Sequence, residues 1–146
     1  MAFTGNYMCT SFKVALLNGE MDFSSDTSQS FKIALYTSDA TLNAETTAYS
    51  TTNEVSGTGY TAGGNTLTIA TNPTNDTSST VAYLDFSDTT WASSSITARG
   101  ALIYKTGGTT PAVAVLDFGS DKTTSSSTFT VTFPTSAVTS AIIRIA

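Results

Sequence analysis

Residues 96–118 read ITARGALIYKTGGTTPAVAVLDF. Ala101, Leu102, Ile103 and Tyr104 form one apolar run, and Ala112, Val113, Ala114, Val115 and Leu116 form a second. The link between them, Thr106-Gly107-Gly108-Thr109-Thr110-Pro111, is made of residues that reach positive φ or fix φ, as a turn requires. Runs this short, rich in β-branched residues and bounded by Gly and Pro, predict two strands of a hairpin. Both are apolar at successive positions, so both faces are expected to be covered. A two-stranded hairpin is marginal alone in water. It must therefore sit inside a larger β core.

Working outward, residues 30–37 (SFKIALYT) alternate, with Phe31, Ile33 and Leu35 on one side and Lys32, Ala34 and Tyr36 on the other. That pattern predicts a half-buried strand. Further strands are predicted around Leu67 and Ile69, ended by Asn72-Pro73, and over residues 81–86, 127–133 and 141–146. Phe129, Val131 and Phe133 share one face of the 127–133 strand, and Pro134 stops it. Seven or eight short strands with no strand-helix-strand alternation imply an all-β domain, an antiparallel β-sandwich or jelly roll spanning residues 30–146. Residues 1–29 are expected to form an N-terminal arm or short helix. Thr10 or Ser11 would cap it, Phe12 and Leu16 stand four apart, and Asn18-Gly19 stops it. It either lies across one end of the sheet or packs on a neighbouring subunit. Residues 38–64 make a long polar connection with Leu42, Tyr49, Val55 and Tyr60 as anchors, and links of that length are more often functional or interfacial than filler.

With 146 residues, 40% of them hydrophobic, the chain has enough apolar material for a single core. Charged residues are only 12%, and Thr and Ser take their place. The net charge is −5, and the six cations, Lys13, Lys32, Arg99, Lys105, Lys122 and Arg144, are scattered. Nucleic acid and anionic membranes are therefore not expected as partners. No apolar stretch approaches the roughly 20 residues of a membrane-spanning helix. The first residues have no basic region ahead of an apolar one, so synthesis in a reducing cytosol is expected. The single Cys9 cannot form an internal disulfide.

The chain has no histidine, which removes the commonest general base and transition-metal ligand. Cys9 lacks an activating base nearby except Lys13 and reads as an unreactive thiol. Asp85 with Asp88, and Asp117 with Asp121, are too sparse for a calcium loop; turn-forming aspartate is the plainer reading. The glycine-rich run Gly57-Thr-Gly59-Tyr-Thr-Ala-Gly63-Gly64 lacks the following Lys-Ser/Thr of a phosphate loop and is expected to be a positive-φ turn. Arg99 lies among apolar neighbours, where an unpaired guanidinium is costly, so it is expected to pair with Asp85 or Asp117. Trp91 reads as core. No catalytic residue, cofactor or metal is expected, and the chain reads as non-enzymatic.

Several stretches together resemble small virion structural proteins of tailed bacteriophages. They are Thr10-Ser-Phe-Lys with Leu16-Leu-Asn-Gly19; Phe31-Lys-Ile-Ala-Leu-Tyr-Thr-Ser38 with Ala40-Thr-Leu42; Thr46-Thr-Ala-Tyr-Ser-Thr-Thr52; Glu54-Val-Ser-Gly-Thr-Gly-Tyr-Thr-Ala-Gly-Gly64; Thr97-Ala-Arg-Gly-Ala-Leu-Ile-Tyr104; Val113-Ala-Val-Leu-Asp-Phe-Gly119; and Ile142-Ile-Arg-Ile-Ala146. The match spans nearly the whole length, and residues 54–64 are its most distinctive part. The resemblance implies a virion component made in the host cytoplasm. The first expectation is a capsid decoration, or cement, protein on the outer shell, binding the major capsid protein and copies of itself as a trimer. A tail, connector or fibre component is the alternative. The interface residues expected are Phe3, Tyr7, Phe12, Val55 and Tyr60, against ordinary core packing. A carbohydrate-binding module, with Trp91, Tyr49 or Tyr60 stacking on sugar, is the competing class.

Overall fold

The computed structural model describes residues 3–146, so the first two positions of the expected 1–29 arm lie outside the described residues. In chain order the elements are β1 (Tyr7–Met8), α1 (Thr10–Leu17), β2 (Phe31–Tyr36), β3 (Asn65–Thr66), β4 (Ile69–Asn75), β5 (Ala82–Phe86), β6 (Thr89–Ser94), β7 (Thr97–Lys105), β8 (Ala112–Thr123), β9 (Ser127–Val131) and β10 (Ile143–Ile145). They form three sheets of order β1-β8-β7-β2-β3, β10-β5-β4 and β6-β9, and every pairing is antiparallel. The protein is all-β with one short helix.

The β7–β8 hairpin is the centre of the large sheet. Ala101, Leu102, Ile103, Val113 and Val115 have no exposed surface, as apolarity at successive positions predicts. Directly opposed residues share a face, so Phe31, Ile33 and Leu35 of β2 line up with Ala101 and Ile103 of β7. That face carries an aromatic stack: Phe23 lies flat on Phe31 at 4.3 Å, and Phe86 of β5 reaches Phe31 at 6.4 Å and Phe133 at 5.9 Å. The other face holds Tyr36, Leu102 and Tyr104, and residues 38–64 cover it. β2 is therefore buried on both faces rather than half-buried, with Ala34 at 0% and Tyr36 at 1% exposure.

The N-terminal segment docks within its own chain. β1 pairs with the first part of β8, Tyr7 opposite Val115 and Met8 opposite Ala114. Phe12 and Ala15 of α1 are buried. Cys9 occupies the cap position without a side-chain bond, in place of the expected Thr10 or Ser11. The stop falls where it was expected. Gly19 at φ +71° lets the Gly19 N–H reach Leu16 O at 3.1 Å and the Glu20 N–H reach Ala15 O at 2.9 Å, satisfying the last carbonyls.

Several strands differ from expectation, among them β10, which begins at Ile143 rather than at 141. β4 continues through Pro73, because it is an edge strand and its register with β5 shifts between Thr71 and Thr74. β9 ends at Val131, short of Phe133, whose N–H donates to Asp88 Oδ1 at 2.8 Å instead of to a strand. β6, a Thr/Ser-rich strand with no clear apolar alternation, was not expected; it alternates all the same, with Thr89 and Trp91 inward and Thr90 and Ala92 outward.

Cys9 is fully buried, and burial pushes its thiol up to about 11, Lys13 only partly opposing this. An alkylating reagent at pH 8 is expected to leave the native protein unmodified and to label it fully once urea unfolds it. Labelling in the native state at the rate of a free thiol would contradict this placement, as read by mass spectrometry.

Candidate functional site

The sequence singles out residues 54–64, and the structure organises them around one carboxylate. Glu54 is the only charged residue between positions 46 and 64. Its Oε1 accepts from the Tyr60 hydroxyl at 2.7 Å and from the Gly63 N–H at 2.7 Å, and its Oε2 accepts from the Tyr49 hydroxyl at 2.6 Å. Tyr60 in turn accepts from the Leu35 N–H at 2.9 Å, and the Val55 N–H donates to Leu35 O at 2.9 Å. The connection thereby satisfies both backbone groups that β2 presents beyond its short pairing with β3. An edge that could pair with another chain is closed.

Two more tyrosines tie the connection to the sheet. Tyr104 donates to Gly63 O at 2.9 Å and stacks on Tyr49 at 4.5 Å, and Tyr36 donates to Ser50 O at 2.6 Å. Burial, followed by the hydrogen bond to Glu54, holds the Tyr49 and Tyr60 phenols far above the ordinary tyrosine range. Burial and the Glu54 charge do the same for Tyr36 and raise Tyr104 as well. All four remain protonated donors. The cluster fastens the connection to the sheet.

The glycines serve close approach. Gly64 sits at φ +67°, and a Cβ there would run into the Ile33 carbonyl. At Gly57 it would come within 2.5 Å of Ser95 O, and at Gly59 within 2.8 Å of the Ser94 Cα. The run is a positive-φ turn laid flush against β2 and β6, as expected, and no helix follows it to hold a phosphate.

The other singled-out residues fall in different places. Arg99 Nε meets Asp117 Oδ1 at 3.2 Å, next to the irregularity between Ala98 and Gly100 in the β7–β8 pairing. Asp85 is not its partner. It is 2% exposed, its Oδ1 accepts from the Phe86 N–H at 2.9 Å, and its Oδ2 has no hydrogen-bond partner. Burial raises its carboxyl above the usual range, with a smaller contribution from Asp88. The folded-state pKa lies above the unfolded one, so the neutral form favours folding and stability falls as pH rises through that window. Asp85→Asn, which keeps the Oδ1 acceptor, is expected to unfold at higher urea than the parent at pH 7. The gap should close at pH 3; an equal gap at both pH values would refute the assignment.

Phe3, Phe12 and Val55 are 4%, 0% and 3% exposed and Tyr60 is spent on Glu54, so of the five expected interface residues these four belong to the chain's own packing. Phe3 fills the space that a side chain at Gly100 would need. Tyr7 is half-buried and bonds Thr4 Oγ1 at 2.6 Å. Trp91 is core, at 4% exposure, against Tyr60 and Phe129. Trp91, Tyr49 and Tyr60 thus offer no open aromatic platform for a sugar.

The open apolar surface lies elsewhere. Among the described residues the large apolar side chains left exposed are Val14 (55%), Leu17 (89%) and Ile145 (48%). All three belong to α1 or β10, the elements bordering a groove of about 360 Å³. Its floor is Phe12, Phe23, Leu84 and Ile143, and its rim includes Leu16 and Ile145. The expectation of an N-terminal interface names Phe3, Tyr7 and Phe12, whereas the large apolar side chains that α1 leaves exposed are Val14 and Leu17. Phe12 and Leu16 define the inner stripe, so Val14 and Leu17 were readable as the outer one. Among the described residues no three His, Cys, Asp or Glu side chains converge, and no helix is long and apolar enough to cross a membrane. No known protein family, curated protein or solved structure matches the chain.

Proposed function

We propose that the chain is a non-enzymatic structural protein of a tailed-bacteriophage particle, a capsid decoration protein that binds the major capsid protein lattice and stiffens the shell. In this reading its sheets pack as a β-sandwich through the Phe31–Phe86–Phe133 contacts, and it acts by adhesion. The observation that carries the reading is the Glu54 cluster. The residues most distinctive in the resemblance are those that fasten a 27-residue connection (38–64) onto the central sheet and close its edge. A domain that works by contact needs such stiffness, because loose loops lose entropy on docking.

The test uses shells assembled without the protein. Added back, it should bind the outer surface, saturate at a stoichiometry set by the lattice and raise the shell's melting temperature. Electron microscopy of the decorated particle should place its density over capsid subunits. Failure to bind such shells, with recovery only in purified tails, would overturn the decoration role in favour of a tail, connector or fibre component.

A further inference from the structure

The geometry points to a slot between β1 and β10 for one extended strand of a partner polypeptide, a segment that alternates apolar and acidic residues. The large sheet and the β10-β5-β4 sheet are sewn together on one side. There β3 runs on into β4 across Leu67 and Thr68. The Leu67 N–H donates to Phe31 O of β2 at 2.8 Å, and Thr68 O accepts from the Ser87 N–H, just past β5, at 2.9 Å. On the other side the sheets are open. β1 is the outermost strand of one and β10 of the other, and among the described residues no pairing joins them. Both border a groove of about 330 Å³, through residues 6–8 and 142–144.

Two unpaired strand edges on one groove ask for extended backbone, whose N–H and C=O groups alternate to match them. The register identifies the waiting groups on β1. The Cys9 N–H donates to Val113 O at 3.0 Å, so Tyr7 and Cys9 bond β8, while the N–H and C=O of Met8 point away from it. Inside the groove Met8, Ala114 and Leu116 share the face of Ile103 and Ala101, with buried Ile143 on the β10 side. Every second guest side chain is therefore apolar. Those between them point outward, as Arg144 does beside Ile143. Arg144 is exposed and, among the described residues, the only charged one bordering the groove. One of its nitrogens donates to Val138 O at 3.3 Å, and no carboxylate pairs with it. An acidic guest residue completes it. The inference is independent of the virion reading.

An NMR titration of the isotope-labelled protein with a capped peptide alternating valine and glutamate tests it. The amides of Met8 and β10 should shift, and Met8 should gain protection from solvent exchange. The same peptide N-methylated at its central residue should bind about tenfold or more weakly, because it lacks a ladder donor. A valine-lysine peptide should also bind more weakly. Arg144→Glu should reverse that preference while keeping the parent's melting temperature, since Arg144 is exposed. No shift at about 1 mM peptide, or shifts confined to other surfaces, would overturn the inference. So would equal binding of the N-methylated peptide, or an Arg144→Glu protein with the parent's preference. A parent that dimerises through these strands and protects Met8 without peptide would overturn it too, since the slot would then hold a second copy.

Discussion

Gly64→Ala is expected to destabilise the protein by about 3 kcal/mol or more, the sum of positive-φ strain and an overpacked contact that only main chain can relieve. The added methyl would run into the Ile33 carbonyl, with the Ala34 Cα 2.8 Å away. Ile33 is fully buried in the centre of the sheet and cannot retreat. For a domain of this size the loss should appear as a drop of about 10 °C in melting temperature. Gly107→Ala is the matched control. That glycine sits at φ +80° with nothing within 4 Å of the new methyl, so the conformational cost of about 1 kcal/mol stands alone. Equal losses at the two positions would mean that close approach is not what residue 64 supplies.

Glu54→Ala should cost about 3 kcal/mol, because it strands the Tyr49 and Tyr60 hydroxyls and the Gly63 N–H together. Glu54 is itself half-buried, so water recovers part of what three charge-assisted bonds would otherwise be worth. Glu54→Gln retains an oxygen at the Tyr60 and Gly63 position and should lose only about 1 kcal/mol. Urea unfolding separates the two variants. Amide hydrogen exchange adds a local reading: the Leu35 N–H, held by Tyr60, should exchange faster in Glu54→Ala while amides of the β7–β8 hairpin stay protected. If Leu35 keeps its protection, the carboxylate does not hold the connection in place.

The hairpin was legible because its signal is local: two apolar runs and a Gly-Gly turn need nothing beyond their own residues. The β2 strand was legible in position but not in depth. Its alternating Lys32, Ala34 and Tyr36 look solvent-facing until residues from position 49 onward are folded over them, which no short window reveals. β6 escaped for a related reason, since Thr and Ser become inward-facing only when Ser94 finds Ser127 O and Thr124 across the ribbon. Desolvation alone says that Arg99 needs an acid beside it, such as Asp85 or Asp117. Choosing Asp117 requires the β7–β8 register, which sets Gly100 opposite it. At the Glu54 cluster the clue was present, a lone acid between Tyr49 and Tyr60 in an uncharged stretch. Those aromatics read as contact surfaces by their rings, whereas it is their hydroxyls that meet the carboxylate.

The pairing of Tyr7 with Val115 has a bearing on how the chain is born. Residues made first must wait for residues made more than a hundred positions later before the largest sheet can close. During synthesis Phe3, Phe12 and Phe23 emerge well before β7 and β8, the hairpin at the heart of the sheet they help to cover. Assembly of the sheet therefore waits for β8, and a chain truncated before it would be sticky and prompt to aggregate.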